Sequence, residues 1–242
     1  MPNWCDKLLI VRGSNARLAE FREAARGVPA KWADGDEEEQ KQEQDLCFHA
    51  LRPIPAEVLA KGYSARHDDD TKSVAQRWVD FMNGVESETH RDGWHWCNHH
   101  WGTKWSIDND GLTKTSEDGK ITYRFLSAWS PIIALVKHIA PTFPDLECDL
   151  RYMEAENSYF NGRVVAKGDA ILLEEASPHT ISMSKYVEYG FGDQEDYCAC
   201  FDWMLDYERE DEVEWNEHDK GILASIKAWN DGHGMKEEAV AK

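Results

Sequence analysis

The chain has 242 residues, and 46 acidic side chains outnumber 27 lysines and arginines, which gives a net charge of −19. Proteins that grip a phosphate backbone or an anionic membrane use clustered lysine and arginine, so this balance argues against both classes. Hydrophobic residues make up 41% of the chain, enough for a packed core, so global disorder is excluded.

Apolar periodicity and turn residues divide the chain into short predicted elements. Strands are predicted at residues 7–12, 46–51, 93–105, 121–129, 147–154, 158–167 and 170–174, and residues 184–190 form an ambiguous strand. Helices are predicted after an N-cap at Asn15, as a short turn at 56–61, and at 71–89, 131–139 and 214–230. Hairpin signals are frequent and no regular β-α-β alternation is sustained, so the pattern favours an α+β fold with a mainly antiparallel sheet.

A ferredoxin-like core is the simplest arrangement of these elements. We expect it to occupy residues 1–167, interrupted by an acidic insert at 31–45 that holds seven acids and two lysines. Residues 168–242 are expected to form an acidic C-terminal extension packed on or beside the core.

The N-terminus and the cysteines indicate a cytoplasmic protein. The first residues carry Asp6, Lys7 and Arg12 and lack the apolar stretch of a secretory signal, and no run approaches the roughly 20 apolar residues of a membrane span. The six cysteines are therefore expected to be reduced thiols. We predict no membrane association and no cofactor.

Residues 94–101 read WHWCNHHW and contain metal-ligating side chains. On a strand, His95, Cys97 and His99 would share one face, and imidazole and thiolate suit zinc or iron. Ligands two residues apart on a strand lie about 6–7 Å apart, which is wide for one ion. A metal or thiol enzyme centred on these three residues is therefore an alternative hypothesis, beside a buried cysteine packed among tryptophans.

Residues 101–105, WGTKW, form a second candidate surface. On a strand, Trp101, Thr103 and Trp105 would share one face with Lys104 opposite, and the rings would be able to stack on single-stranded bases. The alternative is a core ladder of aromatic side chains with Gly102 at a bulge.

The most localised signal is electrostatic. Residues 188–219 contain thirteen acids and one base, Arg209, for a net charge of −12, and aromatic residues interleave with the acids. Such a segment either imitates a phosphate backbone in the basic cleft of a partner or serves as a solubilising face. The candidate partner-binding residues are Asp202, Asp206, Glu208, Glu210, Asp211, Glu212 and Glu214.

Five segments in a fixed order carry a family resemblance: MPNWC at 1–5, FHALRPIPAEV at 48–58, WGTKW at 101–105, LSAWSP at 126–131 and FPDLECDLRYMEAENSYFNG at 143–162. Together, over about residues 1–165, they resemble the YubB-like, Api-type proteins of conjugative plasmids and phages. The resemblance implies a ferredoxin-like domain and a mobile-element setting. That family has no established activity, so the resemblance supplies no catalytic residues.

We therefore predict a mobile-element accessory protein that acts by binding a host protein with a basic surface rather than as an enzyme. In its sharpest form it is an acidic anti-defence inhibitor that mimics nucleic acid and targets a defence nuclease complex. A metal or thiol enzyme and single-stranded nucleic-acid binding through WGTKW are the alternatives, the latter disfavoured by the net charge.

Overall fold

The computed structural model describes residues 4–34, 42–64, 73–107, 111–154, 161–177, 181–201 and 217–232. The strands in these ranges are β1 (Trp4–Arg12), β2 (Thr113–Glu117), β3 (Lys120–Ala128), β4 (Glu147–Glu154), β5 (Asn161–Lys167) and β6 (Ala170–Ser177). The helices are α1 (Asn15–Ala25), α2 (Phe48–Leu51), α3 (Ala56–Lys61), α4 (Val74–Met82), α5 (Glu86–Thr89), α6 (Gly93–His100), α7 (Ile133–Thr142), α8 (Met183–Tyr189), α9 (Gln194–Phe201) and α10 (Glu217–Gly232). None of the described helices is long and apolar enough to cross a membrane.

The six strands form one sheet in the order β2-β3-β1-β4-β5-β6. β1 and β3 are antiparallel, from Trp4 opposite Ala128 to Arg12 opposite Lys120, and β2 pairs antiparallel with β3. Since α1 follows β1 and α7 links β3 to β4, the chain makes the β-α-β-β-α-β pattern of a ferredoxin-like core, with β5 and β6 added beside β4. The predicted α+β class and ferredoxin-like core are confirmed.

The chain divides into two compact units, Met1–Tyr152 with Arg163–Glu175, and Met153–Gly162 with Ala176–Lys242. In the first unit, alternate β1 residues such as Leu9 and Val11 are fully buried. Phe21 of α1 packs edge-on against Tyr123 of β3 and against Phe143, with ring centroids 6.3 and 5.3 Å apart. Burying side chains of this size stabilises the fold by about 1.5–3 kcal/mol each.

A buried carboxylate, Asp149, joins three adjacent strands. Arg163 of β5 donates from Nε at 2.8 Å and from Nη2 at 3.0 Å. Arg12 of β1 donates at 3.0 Å and Arg151 of β4 at 3.1 Å. Burial acts to raise the pKa of Asp149, but the hydrogen bonds and charges of Arg163 and Arg151 outweigh it and lower the pKa below its usual value.

Two predicted strands are helices in the structure. Residues 46–51 contain α2, and the predicted strand at 93–105 begins with α6, because Asp92 accepts the His95 N–H at 3.0 Å and caps the helix. Buried residues then recur at helical spacing, at Gly93, Trp96 and Cys97. A helix cap and helical burial thus outweigh the strand propensity of the aromatic residues.

The ambiguous strand at 184–190 is also helical. It is α8, whose cap Ser182 accepts from the Lys185 N–H and whose end is set by Gly190 in the left-handed conformation. The predicted helix at 71–89 is divided into α4 and α5 near Gly84, whose φ is +71°. The predictions of α1, of the β4–β5 pair, of β6 and of the last helix are confirmed, although Ser14 rather than Asn15 caps α1.

Candidate interaction surfaces

Cys97 does not share a face with His95 and His99, as the strand prediction required. Because these residues lie on helix α6, those two positions apart point in nearly opposite directions. Cys97 is fully buried, and burial, with a smaller contribution from the nearby charge of Asp92, raises its pKa well above that of a free thiol. A protonated, inaccessible thiol is neither a nucleophile nor a metal ligand. Across the described ranges, no cluster of three or more histidine, cysteine and acidic side chains is arranged to hold a metal ion.

His100 instead accepts hydrogen bonds from Arg52. Arg52 donates to the His100 carbonyl at 2.8 Å, and its Nη2 lies 2.6 Å from Nδ1 of the ring. A guanidinium only donates, so Nδ1 accepts and the imidazole is neutral with its hydrogen on Nε2. Burial, followed by the charges of Arg52 and the histidines His99, His90 and His138, lowers the pKa of His100 to about 3. A histidine with this pKa is a poor general base near neutral pH.

Arg52 also connects two segments that the family resemblance singled out. Its carbonyl accepts the Nε1–H of Trp101 at 3.1 Å, which ties residues 48–58 to residues 101–105. Sequence patterns did not reveal this contact, because the two partners are separated by 49 positions.

Residues 101–105 form turns rather than a strand, so the predicted face is wrong. Trp101 and Thr103 are buried, whereas Trp105 is 38% exposed. Gly102 causes the change of direction, since its φ is +86° and a Cβ there would lie 2.6 Å from the Pro131 carbonyl oxygen. Of the four predicted residues, only Lys104 and Trp105 are placed to meet a partner.

The structure adds Trp129 to this surface. The Lys104 ammonium lies 4.1 Å from the centroid of the Trp129 ring and 5.5 Å from that of Trp105. Trp129 is 45% exposed. We call Lys104, Trp105 and Trp129 the tryptophan–lysine surface. The contact joins two turns far apart in sequence, so no periodicity predicts it.

Trp129 has a strained backbone. Its φ is +69°, the only positive value at a non-glycine residue within the described ranges, and the Ser130 N–H donates to the Ala128 carbonyl at 2.9 Å. A γ-turn with positive φ is the strained form, and such a conformation costs about 1–3 kcal/mol.

Hydrogen bonds on both sides hold Trp129 in that conformation. Ser127 donates to the Ser130 carbonyl at 2.7 Å, and Ser130 donates to the Gly102 carbonyl at 2.5 Å. Thr103 donates to the Ala128 carbonyl at 2.9 Å. The segments 101–105 and 126–131 thereby form one connected unit that presents the ring to solvent.

The seven predicted partner-binding carboxylates of the acidic segment, from Asp202 to Glu214, lie outside the described residues. The start of the segment is described in α8 and α9, where the aromatic side chains are buried and most acids are exposed. The buried aromatic residues are Tyr186, Tyr189, Phe191, Tyr197 and Phe201. The Tyr197 hydroxyl donates to the Ile181 carbonyl at 2.9 Å, which fixes α9 against the preceding loop.

Two exposed acids at the start of α9 each accept a hydrogen bond from the other's backbone N–H. Asp193 accepts the Asp196 N–H and Asp196 accepts the Asp193 N–H, each at 3.0 Å. Carboxylates are also favoured at this position by the helix dipole. The described part of the acidic segment is therefore a folded helical structure that directs its carboxylates outward.

Comparison with known proteins gives one family match. Residues 100–200 match a family model described as the ferredoxin-like domain in Api92-like protein. The crystal structure of a protein api92 from Yersinia pseudotuberculosis matches with a TM-score of 0.42 at 10% identity, covering 73% of this chain and 98% of that one. Residues 100–200 therefore resemble the ferredoxin-like domain of that family, and the low TM-score adds no argument. Among curated proteins, none matches the chain.

The matched stretch differs in extent from the resemblance expected over residues 1–165. It contains three of the five segments, at 101–105, 126–131 and 143–162, and it continues to residue 200. Helices α8 and α9 thus belong to the matched region, although the sequence segments that carried the resemblance end at residue 162.

Proposed function

We propose that this chain, whose residues 100–200 match the ferredoxin-like domain in Api92-like protein, is a mobile-element accessory protein that acts by binding another protein. The partner we propose is a host protein with a basic surface. In the sharpest form of the proposal, the partner is a defence protein whose nucleic-acid cleft accepts carboxylates in place of phosphates. The protein would act in the cytoplasm, where its six reduced cysteines would remain thiols.

The charge distribution is the observation that carries this proposal. Residues 188–219 hold a net charge of −12 out of the −19 of the whole chain. A concentrated field of one sign speeds association with a surface of the opposite sign and excludes partners of like charge. In α8 and α9 the start of this segment combines buried aromatic rings with exposed acids at Asp193, Glu195 and Asp196, which supports a folded acidic surface in this part of the segment.

A pull-down from a bacterial lysate with the tagged full chain tests the proposal. We expect a partner to be retained at low salt and released as salt rises, because ionic screening weakens contacts between exposed charges. Recovery of no partner at low salt would count against the proposal.

A four-residue charge variant makes the test specific. Glu208→Gln, Glu210→Gln, Asp211→Asn and Glu212→Gln together remove four charges from the acidic segment. A matched variant removes four charges from the insert instead, by Asp36→Asn, Glu37→Gln, Glu38→Gln and Glu39→Gln. The first variant should lose the partner and the second should keep it; full retention by the first would show that the acidic segment is not the contact.

Neither alternative gains support from the geometry. The enzyme hypothesis required His95, Cys97 and His99 on one face, and Cys97 is buried on the other side of α6. The single-stranded nucleic-acid hypothesis required Trp101, Lys104 and Trp105 at the surface, and Trp101 is buried.

A further inference from the structure

Two more exposed apolar side chains, Trp4 and Leu126, lie on β1 and β3 next to the turn that holds Trp129. Trp4 is 36% exposed and lies opposite Ala128, the residue that precedes Trp129. Leu126 is also exposed, two residues before Ala128 on β3. Exposed tryptophans near an exposed leucine have the composition of the residues that dominate binding energy at protein interfaces.

Lys104 gives this surface its charge preference. No carboxylate in the described ranges lies within 4.0 Å of the Lys104 ammonium, although acids greatly outnumber bases in the chain. The contacts recorded for the ammonium are with the faces of Trp129 and Trp105. The neighbouring cation on β3, Arg124, donates to Asp6 at 2.7 Å. An occupant with one anionic group therefore complements the surface.

The fixed backbone around Trp129 favours a binding role for the ring. A residue held in a strained conformation by hydrogen bonds from Ser127 and Ser130 does not reorganise when a partner arrives. Rigid, pre-oriented aromatic side chains lose little conformational entropy on binding.

We propose that the tryptophan–lysine surface binds a short peptide segment of a partner protein that carries one acidic residue beside an aromatic or aliphatic residue. The carboxylate would contact the Lys104 ammonium, and the apolar neighbour would pack on the rings of Trp105 and Trp129. A nucleic acid fits less well, because its repeated phosphates would meet a single lysine on a chain of net charge −19. The proposal does not depend on the acidic segment.

Selection of a displayed library of short random peptides on the full chain tests this inference. Enriched peptides should share an aspartate or glutamate next to an aromatic or aliphatic residue. A synthetic enriched peptide, titrated by fluorescence anisotropy, should bind Lys104→Glu about tenfold or more weakly, because a like charge replaces the contact. Trp129→Gly should weaken binding by a similar factor, since glycine keeps the left-handed conformation and removes the ring.

Lys185→Glu is the matched control, since the Lys185 ammonium lies 5.8 Å from the Tyr189 ring centroid in another cation–π contact. This variant, and the four-residue variant of the acidic segment, should bind the peptide as the wild type does. Circular dichroism melts establish that each variant is folded.

Several results would overturn the inference: enriched peptides without an acid, unchanged binding to Lys104→Glu, or equal loss in Lys185→Glu. Binding of oligothymidylate with the same dependence on Lys104 and Trp129 would assign the surface to nucleic acid instead. A concentration-dependent dimer that Lys104→Glu dissociates would assign it to a second copy of the chain.

Discussion

Replacing Asp149 by asparagine tests the packing that joins β1, β4 and β5. Asp149 is fully buried and accepts hydrogen bonds from Arg12, Arg151 and Arg163. Asp149→Asn keeps the size of the side chain but removes its charge and turns an N–H₂ group toward the arginines. The three guanidinium groups then lose their shared counter-charge.

Removing one partner of a buried ion pair costs about 3–5 kcal/mol. The arginine side chains are 15–36% exposed, so water compensates part of their charge. We therefore expect a loss near the lower end, about 3 kcal/mol. For a protein of this size, 1 kcal/mol corresponds to about 2–4 °C in Tm, so the expected decrease is about 6–12 °C.

Thermal unfolding followed by circular dichroism at pH 7 measures the effect. The control is Glu147→Gln on the same strand, since Glu147 contacts Arg12 at 3.0 Å but is 35% exposed. An exposed pair of this kind contributes at most about 1 kcal/mol. A decrease of less than about 2 °C for Asp149→Asn, or equal decreases for both variants, would refute the idea that Asp149 stabilises the sheet through buried ion pairs.

Wild type and Asp149→Asn should respond differently to acid. The folded pKa of Asp149 is lowered, so its stabilisation is present above the unfolded pKa of about 3.9 and is lost as pH falls through the folded pKa. The difference in Tm between wild type and Asp149→Asn should therefore shrink below about pH 4. A difference that persists unchanged at pH 2 would contradict this linkage.

Three further expectations concern single residues. Gly102→Ala should destabilise the protein by at least about 1–3 kcal/mol in urea unfolding, because φ is +86° and the new Cβ would lie 2.6 Å from the Pro131 oxygen. Gly111→Ala should be nearly neutral, because no atom of the described residues lies within 4 Å of its new Cβ. Cys200 should react with a thiol reagent before the five buried cysteines of the native protein, and Cys200→Ser should abolish that first phase. The ring signals of His100 should not titrate above about pH 5 in NMR spectra, because its pKa is lowered to about 3. The stability that depends on a neutral His100 ring is lost as pH falls from about 6.5, the pKa in the unfolded chain, toward 3.

The ferredoxin-like core was predictable because its elements carry local signals. The β-branched run of β1 and the apolar residues of β3 and β4 each indicate a strand without tertiary information, whereas β2 was not predicted. Residues 93–100 misled the prediction because tryptophan, present at Trp94 and Trp96, has high strand propensity. The deciding features were the cap at Asp92 and the helical spacing of Trp96 and Cys97.

The tryptophan–lysine surface was only partly predictable. The composition of residues 101–105 drew attention to Lys104 and Trp105, but the alternation rule of a strand placed their neighbours wrongly. Trp129 lies on this surface because of a turn in which its φ is positive, and a tryptophan in the sequence does not predict that conformation.

The salt dependence of partner binding, compared between the wild type and the variant that neutralises Glu208, Glu210, Asp211 and Glu212, tests the proposed function most directly. For the partner recovered from the lysate, we expect the wild-type Kd to rise steeply with salt, while the variant binds weakly with a much shallower dependence. Equal affinities and equal salt dependence in the two proteins would contradict binding through the acidic segment.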